Sequence, residues 1–180
     1  NKLYIRPDNS RPQALIQTGR GCPSSCTFCL IPRLTGKVFI QRSVESVFEE
    51  IKDCVYNYGI NQFFFRADTF TLSKLWVKQL SEKIVESNLK ISWCANSRAN
   101  CIDEGLVKIM RKAGCWLLAF GFESGCPDTL KKIKKGNSIE DNELAKEICK
   151  RHGIKVLGQY IIGFPWEGKA HLEQMLKHIR

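Results

Sequence analysis

Apolar residues recur along this chain in two alternating patterns. Short continuous runs mark strands, and positions three and four apart mark helices. Leu15-Ile16 forms the first run. Val44, Val47, Phe48, Ile51 and Val55 then line one helical face behind Ser43, which suits an N-cap. Phe63-Phe64-Phe65 is a second strand, and a helix after Ser73 buries Trp76, Val77, Leu80 and Ile84. Ile91 to Ala95 predicts a third strand, and Leu106, Val107 and Met110 mark a third helix. A fourth strand is expected over Trp116 to Phe120, followed by a helix after Ser138 carrying Leu144 and Ile148. Val156 to Ile162 reads as a fifth strand, and Leu172, Met175, Leu176 and Ile179 as the start of a last helix.

Three helix exits share one form: Tyr58-Gly59-Ile60, Ala113-Gly114-Cys115 and His152-Gly153-Ile154. Each places glycine where a left-handed cap turns the chain into the next strand. Short apolar strands between amphipathic helices predict a parallel sheet covered by helices. Five to six β/α units are legible, and a closed barrel of eight needs about 250 residues. The expected fold is therefore α/β, a partial (β/α) barrel or an open sheet. No linker or low-complexity tract interrupts the 180 residues. The chain starts at Asn1, without an initiator Met, and Arg180 falls inside a helical pattern. It reads as one domain, a segment of a longer protein.

Chemistry enters with Arg20-Gly21-Cys22-Pro23-Ser24-Ser25-Cys26-Thr27-Phe28-Cys29. The spacing C-x3-C-x2-C sets three thiols close together, with an aromatic residue before the third. Cubane iron–sulfur clusters usually take four cysteines. A loop with three leaves one iron open to another ligand. Cys26-Thr27-Phe28-Cys29 alone also fits a redox dithiol or half of a zinc site. A structural zinc needs a fourth ligand, and the histidines, His152, His171 and His178, lie far downstream. A dithiol leaves Cys22 without a role.

The other six of the nine cysteines are scattered, which fits small core residues in a reducing cytoplasm better than a disulfide framework. Cys126 is set apart because it lies near a suspected site. No apolar run approaches the roughly 18 residues of a membrane helix. The net charge of +10 draws on Lys131, Lys132, Lys134 and Lys135. A basic surface attracts nucleic acid or anionic substrates, but a solvated helix face explains such a run more simply. No aromatic–basic interleaving of the base-stacking kind is present.

In α/β barrels the chemistry sits on loops after the strands. Those positions carry Arg20 and the cysteines, then Arg66, Asp68 and Thr69, then Asn96, Ser97 and Arg98, then Glu123 and Ser124, then Gly163, Pro165 and Glu167. Singly, Asp68 or Arg98 is an ordinary cap or surface ion pair. Together they form one polar rim beside a metal loop.

With these residues in view, the whole chain resembles the radical S-adenosylmethionine superfamily. Cys22, Cys26 and Cys29 match its cluster motif, and Phe28 its aromatic position. The resemblance implies a [4Fe–4S] cluster whose open iron binds S-adenosylmethionine. Reductive cleavage would then give methionine and a 5′-deoxyadenosyl radical. It also implies contacts near Phe28 to adenine, Glu123 and Ser124 lining the cofactor pocket, and Asp68, Ser97, Arg98 and Gly163 as further cofactor-binding positions. Arg98 is assigned to the methionine carboxylate, since a guanidinium matches a carboxylate fork. Arg66 to Asp68 departs from the Gly-Gly-Glu that many members carry there. An external electron donor of flavodoxin or ferredoxin type and a small-molecule substrate are implied partners.

Thr18 to Pro23, Ala67 to Phe70, Gly121 to Gly125 and Ile162 to Glu167 look like the branch of cobalamin-associated methylases and the anaerobic Mg-protoporphyrin ester cyclase. Cobalamin would belong to an upstream domain, since no Asp-x-His corrinoid motif occurs in this chain. Cys26 to Pro32 is also similar to methylthiotransferases acting on tRNA or a ribosomal protein. An iron–sulfur electron carrier or structural cluster protein is the alternative from another class. It leaves the polar rim without a function.

Overall fold

The computed structural model describes residues 11–179. Five parallel strands form the central sheet: β1 (Gln13–Gln17), β4 (Gln62–Arg66), β5 (Ser92–Ser97), β6 (Cys115–Glu123) and β7 (Lys155–Tyr160), paired in that spatial order. A two-stranded antiparallel ribbon, β2 (Gly19–Arg20) with β3 (Ile40–Gln41), brackets the cysteine loop. Helices α1 (Ile31–Leu34), α2 (Val44–Tyr58), α3 (Lys74–Glu86), α4 (Glu104–Lys112), α5 (Pro127–Lys132), α6 (Ile139–Arg151) and α7 (Lys169–Ile179) complete the described residues. Each sheet strand is followed by a helix and then by its spatial neighbour, so five β/α units make an α/β partial barrel. Arg180, expected to continue the last helix, lies outside the described residues, as do residues 1–10.

Helix starts follow the sequence closely. Ser43, Ser73, Asp103 and Ser138 each accept a hydrogen bond from a first-turn backbone N–H. Ser138 and Asp141 form a reciprocal capping box. Val44, Val47, Phe48 and Ile51 are buried on α2, and Trp76, Val77, Leu80 and Ile84 on α3. The later helices depart from expectation. Leu144 is exposed on α6 while Ala145, Ile148 and Cys149 face inward. On α7 Met175 is buried, whereas Leu172, Leu176 and Ile179 remain exposed.

The sheet separates two chemistries by alternation. Phe63, Phe65, Trp93, Ala95, Leu118 and Phe120 are buried. Phe65 and Trp93 pack as tilted rings 5.0 Å apart, Phe70 lies 5.5 Å from Trp93, and Trp93 Nε1 donates to the Ala113 carbonyl at 2.8 Å. Of the opposite parity, Phe64, Cys94 and Asn96 are partly covered and Gln159 is exposed, while Gln62 and Ala119 are buried. β6 runs three residues further than its apolar core predicts. It ends at Glu123, with an irregular register between Gly121 and Glu123 against β7.

All three glycine exits have positive φ: Gly59 at 65°, Gly114 at 95° and Gly153 at 67°. Space separates two of them. A Cβ on Gly59 would meet nothing within 4 Å, whereas one on Gly114 would lie 2.1 Å from the Ile91 carbonyl oxygen. Gly59→Ala should therefore cost about 1–2 kcal/mol, the conformational penalty alone. Gly114→Ala should cost at least ~2 kcal/mol more, because β5 must move. Urea denaturation of the two variants measures the difference; equal midpoints would contradict it.

Candidate active site

Ten residues separate the end of β2 from α1, and the cysteine loop among them is anchored from several sides. The Asp68 carboxylate, just beyond β4, accepts from Gly21 N–H at 2.6 Å and from the Thr35 hydroxyl at 3.1 Å. Cys22 N–H donates to the Gly36 carbonyl at 3.2 Å, and Thr27 N–H to the Ile133 carbonyl at 3.0 Å. A backbone held at both ends and in its middle presents its side chains in a fixed order.

Cys22, Cys26 and Cys29 line a single cavity of about 170 Å³. Phe28, Asp68, Thr69, Asn96, Ser97, Arg98, Ala119, Gly121, Glu123, Lys135 and Gln159 share its walls. The parity opposite the aromatic core supplies Asn96, Ala119, Gly121 and Gln159, and register keeps them level: Asn96 pairs with Ala119, and Gly121 with Gln159. Five predicted cofactor positions, Phe28, Asp68, Ser97, Arg98 and Glu123, thus meet the three thiols. Two lie elsewhere. Ser124 is fully buried, and its hydroxyl accepts from Cys126 N–H at 3.1 Å. Gly163 donates its N–H to the Glu167 carboxylate at 2.9 Å, in a turn that Glu167 also ties to Phe164 and Thr129.

Lys135 is the largest difference from the sequence reading. It is not part of a solvated lysine run. It is buried against Glu123 at 2.8 Å, with side chains 7% and 11% exposed. Glu123 adopts φ 66° at the register shift, which turns its carboxylate toward Lys135. A left-handed carboxylate residue is strained and is held only by its surroundings. Gly121 makes room: a Cβ there would lie 2.3 Å from Glu123 Oε1 and 2.9 Å from Lys135 Nζ. Nothing in the run Lys131 to Lys135 distinguishes the buried lysine from its neighbours by sequence.

Arg98 completes the network. Its guanidinium donates to the Lys135 carbonyl and approaches Cys26 Sγ at 3.7 Å. Its positive charge therefore sits beside the middle thiol of the loop. The Ser97 hydroxyl pairs with that of Thr71 at 2.5 Å, leaving it a wall residue with its hydrogen bond already made.

The donor set fits a three-thiolate cluster. Among the described residues no three Cys, His, Asp or Glu side chains converge on one ion, as a mononuclear zinc site requires. A cubane takes one thiolate per iron and spreads its ligands around a larger body. No other described cysteine lines the cavity; Cys126 is the buried N-cap of α5, and Cys101 opens onto a separate outer cavity. Burial raises the thiols of Cys54, Cys101 and Cys115, and that of Cys149 to about 12, which keeps them protonated. At these four the thiolate, the reactive and metal-binding form, is disfavoured.

A sequence profile described as the Radical SAM superfamily matches residues 16–179. An uncharacterized methyltransferase of Pyrococcus horikoshii is 39% identical over 92% of this chain, which covers 36% of that relative. The anaerobic magnesium-protoporphyrin IX monomethyl ester cyclase of Rubrivivax gelatinosus is 29% identical over 99% of the chain, covering 32% of it. In fold, the radical S-adenosylmethionine methyltransferase TsrM from Kitasatospora setae, solved with cobalamin and a [4Fe–4S] cluster, superposes with a TM-score of 0.87. The identity there is 22%, with 94% of this chain and 34% of that one covered. The chain thus spans about a third of the length of the curated relatives it matches.

The Glu123–Lys135 pair yields a stability prediction. Removing one partner of a buried ion pair leaves an uncompensated charge, at a cost of about 3–5 kcal/mol. Lys135→Ala should lose stability by that amount, and Glu123→Gln with Lys135→Met should recover most of it. Chemical denaturation of both variants tests this. A Lys135→Ala protein as stable as the parent would show the pair to be solvated.

Proposed function

The chain belongs to the radical SAM superfamily, and from that membership we propose that it is the cluster-bearing part of an enzyme that reductively cleaves S-adenosylmethionine. The observation that carries this is the shared cavity: three thiols from one loop, no fourth cysteine lining it among the described residues, and a wall of polar groups from four strand ends. Cys22, Cys26 and Cys29 hold the [4Fe–4S] cluster. The bound cluster supplies the electron that breaks the sulfonium bond.

The remaining walls bind and orient. Phe28 offers a flat, half-covered ring at the cavity edge for the adenine. Glu123 offers a carboxylate to hydroxyls or an ammonium group, and Lys135 and Arg98 offer positive charge to a carboxylate. The Glu123–Lys135 pair puts both signs of charge in the cavity, to meet the ammonium and the carboxylate of the cofactor's methionine part. Asp68 acts at one remove, holding the loop that holds the thiols. Ser124 and Gly163 contribute through backbone shape. No helix of the described residues is long and apolar enough to cross a membrane.

For the parent protein, methyl transfer assisted by cobalamin is the favoured outcome. It rests on the methyltransferase relative and on the motifs around Ala67 to Phe70 and Gly121 to Gly125. Cyclisation, as in the protoporphyrin ester cyclase, is the second reading. An acceptor of small-molecule size suits either.

The deciding assay uses the full-length protein, anaerobic and reduced. 5′-Deoxyadenosine should form, with S-adenosylhomocysteine beside it if a methyl group is transferred. An intact cluster with bound cofactor and no 5′-deoxyadenosine would refute the cleavage reading. Methylthiolated tRNA would move the assignment to the methylthiotransferases. Alanine at Cys22, Cys26 or Cys29 should each abolish the visible absorbance of the thiolate-bound cluster, and alanine at Cys126 should retain it.

A further inference from the structure

A second, wider cavity of about 820 Å³ adjoins the thiol cavity; Ser24, Arg98 and Lys135 line both. Three stretches of chain build it: the cysteine loop at Ser24 and Ser25, the turn after β5 at Asn100, and the connection from α5 to α6. That connection is drawn in by Lys135 N–H donating to the Leu130 carbonyl at 3.1 Å and by Asn100 Nδ2 donating to the Gly136 carbonyl at 2.7 Å. Lys131 and Lys134 are exposed on the wall, and neither forms an ion pair among the described residues. Lys132, by contrast, is taken by Asp128 at 2.8 Å. Glu140 is the one acid on the lining. With Lys135 neutralised by Glu123, the charges of Arg98, Lys131 and Lys134 stand against it. The wall also holds an unmatched polar group. Asn137 is 8% exposed; its Nδ2 donates to Asn142 Oδ1 at 2.5 Å, and its own Oδ1 has no partner. An open polar atom in a buried wall calls for a partner.

We infer that this outer cavity anchors the substrate, and that the substrate is a phosphate-bearing, hydroxylated small molecule of the sugar-phosphate class. The inference rests on the enzyme function proposed above. Charge selects the phosphate: two ammonium groups on flexible stems and a planar guanidinium suit its oxygens. The open acceptor selects a hydroxyl, because a ligand O–H supplies the donor that Asn137 Oδ1 lacks, and the Ser24 and Ser25 hydroxyls can pair with others. Volume selects the place. The inner cavity, at about 170 Å³, leaves no room for a second ligand beside the cofactor, whereas the outer one has the size of an ordinary small-molecule pocket. A substrate held there by its phosphate extends toward the thiol loop along the wall that Ser24 and Arg98 share between the two cavities.

The test uses the full-length protein with its cluster loaded and oxidised, and ribose 5-phosphate as the probe, read by titration calorimetry. The probe should bind about fivefold tighter than inorganic phosphate, because its hydroxyls are used, and more weakly as salt rises. Lys131→Gln with Lys134→Gln should weaken it about tenfold. The same exchange at Lys78 and Lys108, exposed on α3 and α4, should leave it unchanged. Saturating S-adenosylmethionine should not displace the probe, and its own affinity should be the same in parent and variant. Lys134 has a left-handed φ of 52°, so Lys134→Asn replaces the glutamine if the double variant fails to fold. Equal probe affinity in parent and lysine variant would overturn the inference, as would no binding to the folded parent. Displacement by S-adenosylmethionine would also overturn it, by putting the probe in the inner cavity. Inorganic phosphate binding as tightly as the probe would do the same, by reducing the site to an anion hole. Failure to form 5′-deoxyadenosine would count against the proposed function alone, because binding is read without reduction or cleavage.

Discussion

Holding three thiols on one cavity from a loop of ordinary peptide is the constraint on which this structure turns. The loop has no helix or strand of its own between Gly21 and Leu30. Its order is borrowed from outside: a carboxylate beyond β4, a carbonyl after α5, and a guanidinium beyond β5. These supports come from distant parts of the sequence, and each is itself braced. Arg98 donates to the Lys135 backbone, and the Lys135 side chain meets Glu123 at the end of β6. The polar network is thus continuous from strand ends to sulfur. Buried networks of this kind are costly unless each member is satisfied, and satisfaction is what makes them rigid.

Much of this architecture was legible in the sequence because parallel α/β units write themselves in simple periods. Ser43 and Ser73 announced their helices, and Phe63 to Phe65 its strand, through local rules of capping and apolar patterning. The thiol loop was legible because spacing alone carries its meaning. Illegible features depend on what surrounds a residue. Lys135 sits in a run of lysines, and its burial follows from where the α5 turn places it. Leu144 matched a helical period yet points outward, because Ala145 and Cys149 offer the face that packs. The extension of β6 to Glu123 was hidden by a glycine and a carboxylate, both poor strand signals. The ribbon of β2 and β3 has two residues in each strand, too short to show any period.

Matching sequences and superposed folds agree on the scaffold, and the scaffold leaves chemistry to the groups it points inward. In this chain those groups divide between the strands' partly covered parity and the loops beyond. The strand members set the floor and the loop members the rim. A change in a helix core therefore alters stability with little effect on the cavity, whereas a change at Gly121 or Asn96 reaches it directly.

The register shift between Gly121 and Glu123 carries a further consequence. From Leu117 to Gly121 β6 and β7 keep one frame, in which Ala119 and Gly121 face the cavity; past it, the two strands are out of step by one residue. The frame of a sheet, once slipped, sends each later side chain to the opposite layer. Glu123 reaches the cavity in the same alternation as Ala119 and Gly121, and the slip sets which β7 residue, Tyr160, lies beside it. Length in this strand is therefore as much a property of the site as composition. A relative with one residue more or fewer between Ala119 and Glu123 would present a different side chain to the thiols, even with every site residue retained by type.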